Sequence, residues 1–150
     1  HSNKLKVDIK NSFVLDLFSG VGSFGIECIS RGAKHVTFVE NYNGVLPTLK
    51  KNLSSLKIDE NYEVVEQNIL NGITLKVLNN KFDIIFLDPP YKEKNLKKIL
   101  DNIFSEKLLN DNGVIIIHRH KNENDQFSEN LKIIEEKKYG ISKIIFVTLN

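Results

Sequence analysis

Apolar runs alternate with amphipathic stretches along most of the chain. Phe13-Val-Leu-Asp-Leu-Phe18 reads as a buried strand that ends in a glycine-rich turn. Ser23 to Arg31 predicts a helix, closed by Gly32, because glycine accepts the left-handed backbone found just past helix ends. His35-Val-Thr-Phe-Val39 is a second strand. Gly44 to Leu56 has helical spacing at Val45, Leu49, Leu53 and Leu56, and Pro47 is tolerable in a first turn. Tyr62 to Glu66 predicts a third strand and Ile69 to Leu78 a short helix. Phe82-Asp-Ile-Ile-Phe-Leu87 is apolar on both faces, as a central parallel strand is. Asn95 to Phe104 has helical apolar spacing, Gly113 to Ile117 is a fifth strand, and His118 to Gln126 is polar and predicts a loop. Lys132 to Tyr139 and Ser142 to Leu149 predict a closing antiparallel pair around Gly140.

Strand–helix alternation of this kind predicts an α/β fold with an open, mostly parallel sheet covered on both faces. Seven strands are expected, with an antiparallel strand near the C-terminus. No repeat, linker or second domain is visible. In such sheets ligands sit beyond the carboxyl ends of the strands, at the switch point.

The first strand runs into Asp16-Leu-Phe-Ser-Gly20-Val-Gly22-Ser-Phe-Gly25, and Glu40 ends the second. Glycines at that spacing let a ligand approach the backbone, and an acid after the second strand suits ribose hydroxyls. The bland alternative is a tight turn that needs glycine. The pattern indicates a nucleoside-like ligand without naming it. Asp16, inside the strand, favours a ligand bearing an ammonium over one bearing a pyrophosphate.

Asp88-Pro89-Pro90-Tyr91 follows the fourth strand directly and is the most informative segment. An exocyclic base amine is a weak nucleophile, because its lone pair is delocalised into the ring. A fixed carboxylate at Asp88 can hold its N–H, turn the lone pair toward a methyl donor and stabilise the developing positive charge. The Pro89 carbonyl can accept the second N–H. The prolines stiffen the loop, and Tyr91 offers a face for stacking on an extruded base. Alone, the segment also fits a proline-rich turn with Tyr91 in the core.

Asp16-Leu-Phe-Ser-Gly-Val-Gly22, Ser30-Arg-Gly-Ala-Lys-His-Val36, Val39-Glu40, Phe82-Asp83, Leu87-Asp-Pro-Pro-Tyr91 and Lys138-Tyr-Gly140 resemble the bacterial 16S rRNA guanine-N2 methyltransferases. The resemblance runs from about Phe13 to Leu149. It implies a Rossmann-like class I methyltransferase fold, S-adenosylmethionine as cofactor, and 16S rRNA or the small ribosomal subunit as partner. It implies that Asp16, Phe18, Ser19, Gly20 and Gly22 line the methionine end of the cofactor. Glu40 would hold the ribose, with Asn41, Asn68 and Ile69 toward the adenine. Asn68 stands where the family usually has Asp, which leaves an uncharged acceptor at that position. The Asp-Pro-Pro-Tyr motif is shared with adenine-N6 DNA methyltransferases, so it fixes the reaction class better than the base. An NAD-dependent oxidoreductase and a non-catalytic cofactor-binding module are the rivals from other classes. Asp16 and Asp88 to Tyr91 oppose the first.

Composition changes this picture little. The chain has 150 residues, and its 21 basic and 19 acidic residues give a net charge of +2, which announces no nucleic-acid binder. Phosphate contacts would fall to Lys92, Lys94, Lys97 and Lys98 beside the motif, although a solvated helix face explains them as well. The single cysteine, Cys28, excludes an intrachain disulfide and reads as a small buried hydrophobe. A monomer in the cytoplasm is expected, with no membrane span and no metal. His118 and His120 alternate but lack further ligands, and His118 falls near the base pocket. His1-Ser2 reads as a tag remnant and residues 1–12 as a lead-in to a domain over 13–150. An N-terminal RNA-binding arm, carried by the resembled family, is expected to be missing.

Overall fold

The computed structural model describes residues 7–56, 61–74, 77–78, 80–90 and 94–150. It contains strands β1 (Phe13–Leu17), β2 (His35–Val39), β3 (Tyr62–Val65), β4 (Phe82–Leu87), β5 (Leu109–His120), β6 (Leu131–Tyr139) and β7 (Ser142–Leu149). The helices are α1 (Ser23–Ser30), α2 (Leu46–Ser54) and α3 (Leu96–Ser105). The strands form one sheet in the order β3-β2-β1-β4-β5-β7-β6. β1 to β5 pair in parallel, and β7 lies antiparallel between β5 and β6. The chain winds outward in one direction from β1 to β3 and in the other from β4 to β5, after which β6 takes the edge and β7 inserts between β5 and β6. The switch point therefore lies between β1 and β4.

The period-two alternation of the strands sorts the core into two layers. Leu15, Leu17, Ile85, Leu87, Ile115 and Ile117 face α3, which contributes Leu96, Ile99, Leu100 and Ile103. Val14, Val36, Phe38, Ile84 and Ile116 face α1 and α2, which contribute Cys28, Ile29, Leu46, Leu49 and Leu53. Both faces of β1 and β4 are covered, which is why their sequences are near-continuous apolar runs. Among the described residues, no helix is long and apolar enough to cross a membrane.

Two expectations are corrected. Among the described residues of 69–78, helical structure is confined to a single 3₁₀ turn, Ile69–Asn71, in place of the expected helix. Gly72, at φ 89 and ψ 153, leaves helical geometry, and the Ile73 N–H donates to Asn102 Oδ1 on α3 at 2.9 Å instead of continuing the turn. The fifth strand is also longer than Gly113 to Ile117, and His118-Arg-His120 belongs to it rather than to a loop. These residues pair with Ile144, Lys143 and Ser142 of β7. Arg119 is buried there because Asp125 accepts from its Nε and Nη2 at 2.8 and 2.9 Å.

Helix α1 crosses β2 closely at Gly25. A methyl group there would meet the ring of Phe38, lying 2.6 Å from Cζ, and would stand 3.0 Å from Asp16 Oδ2. Phe38 is fully buried and cannot swing away. Gly25→Ala should therefore destabilise the protein by about 1–3 kcal/mol through overpacking. Urea unfolding would read this as a lower midpoint at unchanged slope, and an unchanged midpoint would refute the close approach.

Candidate active site

The strand register brings the candidate residues to one level. Leu17 pairs with Val39 on one side and Leu87 on the other, and Leu87 pairs with Ile117. Phe18, Glu40 and Asp88 are therefore the first residues past the ends of β1, β2 and β4, and His118 stands level with them inside β5, which runs on to His120. Asp16 pairs with Phe38 and Phe86, which lie on the α1/α2 side with Val14 and Ile116. Alternation carries that side on to Glu40, Asp88 and His118.

The turn after β1 is built from left-handed backbone. Phe18 has φ 57, Gly20 φ 55 and Gly22 φ 92. A phenylalanine in that region is strained by about 1–2 kcal/mol, and here its ring packs against the α3-side core. Gly20 has open space over its α-carbon, with nothing within 4 Å of where a side chain would start. The turn is bolted to β2 by Glu40. Its Oε1 accepts from the Gly20 N–H at 2.9 Å, and its Oε2 from the Asn41 and Tyr42 N–H groups at 3.1 Å each. Ser19 Oγ is buried beside this turn and has no hydrogen-bond partner among the described residues.

Asp16 is the unusual group. It is 1% exposed, and its Oδ2 accepts, among the described residues, one bond, from the Gly25 N–H at 3.1 Å. Burial raises its pKa to about 8; the Gly25 N–H opposes this, and the negative fields of Asp88 and Glu40 add to it. Asp16 and Glu40 both accept from backbone N–H groups of this segment, and the field of Asp88 reaches Asp16. Such a site suits a ligand with a positive charge and hydroxyl donors, and would repel a pyrophosphate. The buried Asp16 carboxyl, the orphaned Ser19 hydroxyl and the open backbone at Gly20 are together compatible with an amino-acid-bearing nucleoside such as S-adenosylmethionine.

Asp88 is exposed at the end of β4, Pro89 is buried and Pro90 is exposed. Asp88 Oδ1 lies 2.9 Å from His118 Nδ1 on β5. Sequence reasoning set His118 near this pocket from its strand-end position but missed the hydrogen bond. Tyr91 and Lys92 lie outside the described residues. Asn41 is exposed beside Glu40. Asn68 follows β3, and its Oδ1 caps the 3₁₀ turn by accepting from the Leu70 N–H at 3.0 Å, so this oxygen is already engaged. Ile69 is buried and borders a cavity of about 400 Å³ whose other walls include Leu70, Gly72, Lys98 and Asn102. Lys97 pairs with Asp101 at 2.9 Å, while Lys94 and Lys98 are exposed.

The other sequence candidates separate from this site. His120 Nδ1 accepts from the Asn122 N–H, and among the described residues no group of three His, Cys, Asp or Glu side chains is placed to hold a metal. Cys28 is buried, and its thiol pKa is pushed up to about 12, chiefly by burial and then by the field of Asp16.

Residues 2–148 match the family described as conserved hypothetical protein 95. The chain is 37% identical over 129 residues to the ribosomal RNA small subunit methyltransferase D of Buchnera aphidicola, covering 86% of this chain and 66% of that relative. It is 36% identical to the protein of the same name from Haemophilus influenzae, covering 93% of this chain and 72% of the relative. The chain thus spans about two thirds of the length of these relatives. A solved structure described as a Haemophilus influenzae methylase superposes with a TM-score of 0.80 at 34% identity, covering 93% of this chain and 87% of that one.

The raised pKa of Asp16 makes a signed prediction. The folded protein holds this proton to about pH 8, whereas the ordinary carboxyl releases it near 3.8. The folded state therefore binds more protons across that window, and this group lowers stability as pH rises from about 4 to about 8. Asp16→Asn should remove that slope. Urea unfolding of both proteins at about pH 5 and about pH 7.5 reads the difference. A wild-type-minus-variant gap equal at the two pH values would contradict the buried, uncompensated carboxyl.

Proposed function

The chain belongs to the conserved hypothetical protein 95 family, and we propose that it is an S-adenosylmethionine-dependent methyltransferase acting on the N2 amine of a guanine in 16S rRNA. Its relatives' names support ribosomal RNA as the substrate class. The observation that carries the chemistry is the placement of Asp16, Glu40 and Asp88 at adjoining carboxyl ends on one side of the sheet.

The cofactor, when bound, supplies a methyl group on a sulfonium. Asp16 receives the ammonium of its amino-acid portion, which replaces the proton that the buried carboxyl otherwise keeps. Glu40, already oriented by three backbone N–H groups, accepts from the ribose hydroxyls with its remaining lone pairs. Phe18, Ser19, Gly20 and Gly22 form the floor under the methionine end, and Asn41, Asn68 and Ile69 border the adenine. Asp88 accepts one N–H of the guanine amine through Oδ2, and the Pro89 carbonyl accepts the other. The bonds aim the nitrogen lone pair and favour the positive charge that grows on it. Pro89 and Pro90 hold this loop at fixed φ. Tyr91 supplies a stacking face, and Lys94 and Lys98 supply phosphate contacts.

Calorimetry should detect S-adenosylmethionine and S-adenosylhomocysteine and no NAD. Near pH 7 the binding should release protons, because Asp16 goes from protonated to ionised; the apparent enthalpy should then differ between phosphate and Tris buffers. NAD binding, or identical enthalpies in the two buffers, would contradict the assigned ligand. Transfer of labelled methyl to small-subunit rRNA tests the reaction. Asp88→Ala should lower turnover on the order of 100-fold while changing cofactor affinity little. Near-normal turnover in that variant would refute the proposed role of Asp88.

A further inference from the structure

We propose that His118 is a positioning residue that fixes the Asp88 carboxylate so that one oxygen is reserved for the substrate amine; this rests on the reading of Asp88 as the amine acceptor. The observation is the 2.9 Å contact between His118 Nδ1 and Asp88 Oδ1 across the carboxyl ends of β4 and β5. Pro89 and Pro90 restrain the backbone of the loop, but neither restrains the side-chain torsions of Asp88. That carboxylate is half exposed, with 50% of its side-chain surface open. Left alone, it presents two equivalent oxygens to water and rotates between them.

His118 stands on much firmer ground. Its strand is paired on both sides, to β4 through Ile117 and Leu87 and to β7 through His118 and Ile144. The next residue, Arg119, is buried and clamped by Asp125. A donor on so rigid an element orients a carboxylate on a softer one, as outer partners do for reacting groups generally. The bond engages Oδ1 and leaves Oδ2 to accept the amine N–H. For the neutral imidazole to donate here, its proton must reside on Nδ1, with the lone pair on Nε2. An exposed pair of this kind contributes little to folding stability, so its effect should be read in turnover rather than in stability.

The test uses the full chain with small-subunit rRNA as methyl acceptor. His118→Leu should lower kcat about 10-fold or more, with thermal midpoint and S-adenosylhomocysteine affinity unchanged. His118→Asn, whose amide nitrogen occupies nearly the place of Nδ1, should restore most of the loss. The double variant Asp88→Ala/His118→Leu should be no slower than Asp88→Ala alone, as expected for residues acting as one unit. Nitrogen-15 spectra of the imidazole, which need no turnover, should show the Nδ1–H form in the wild type and its loss in Asp88→Ala. Normal kcat in His118→Leu beside a slow Asp88→Ala would overturn this inference and leave the role of Asp88 standing. Equal losses in the Leu and Asn variants would overturn it too. Normal turnover in Asp88→Ala would remove the acceptor itself and with it anything for His118 to position.

Discussion

A carboxyl group sealed inside a central strand of a parallel sheet must be neutralised or paired, because charge is strongly disfavoured away from water. Asp16 is in that position, and the surrounding structure is organised around it. One N–H, from Gly25 at the start of α1, reaches its Oδ2. That contact exists because Gly25 has no side chain to hold the helix off Phe38. The chain between β1 and α1 must then turn within a few residues, which is why Phe18, Gly20 and Gly22 all adopt left-handed backbone. The turn in turn delivers the Gly20 N–H to Glu40 and ties β1 to the end of β2. A single buried acid is thus tied to the seating of a helix and the shape of a turn.

The remaining polar groups gain their placement from register rather than from local sequence. Parallel strands are in register at Leu17, Val39, Leu87 and Ile117, so Glu40, Asp88 and His118, the residues that follow, become neighbours although dozens of residues separate them in the chain. The fields of Asp88 and Glu40 both act on Asp16 at this end. The arrangement accords with a cationic, phosphate-free cofactor at Asp16 and a neutral amine at Asp88, one on each side of the switch point. In the proposed reading the division is chemical as well as spatial: the buried acid would meet a permanent charge, and the half-exposed one a charge that exists only during reaction.

Much of this was legible in the sequence. β2, β4 and β7 have the bounds that their apolar runs predict, and the Gly-rich turn and Asp-Pro-Pro segment follow β1 and β4 as expected. Local pattern misled where long-range partners decide. Ile69 to Leu78 has helical spacing, yet Gly72 and the acceptor on Asn102 divert the backbone after one turn. His118 to Gln126 reads as a loop because it is polar. Its first three residues are strand because β7 supplies hydrogen-bond partners and Asp125 neutralises Arg119. The His118–Asp88 bond was invisible for the same reason: a residue read as loop has no register, and register is what aligns it with β4. Asn68 was read as an adenine contact, and its part in capping the 3₁₀ turn depends on a backbone conformation that pattern does not specify.

The central claim is that this arrangement methylates a guanine amine of small-subunit rRNA. Its most direct test is mass mapping of modified bases in 16S rRNA from cells lacking the gene, beside cells in which it is restored. The account predicts that one N2-methylguanine is absent in the first and returns in the second. An unchanged set of N2-methylguanines, with any lost methyl group on another base or another RNA, would contradict it.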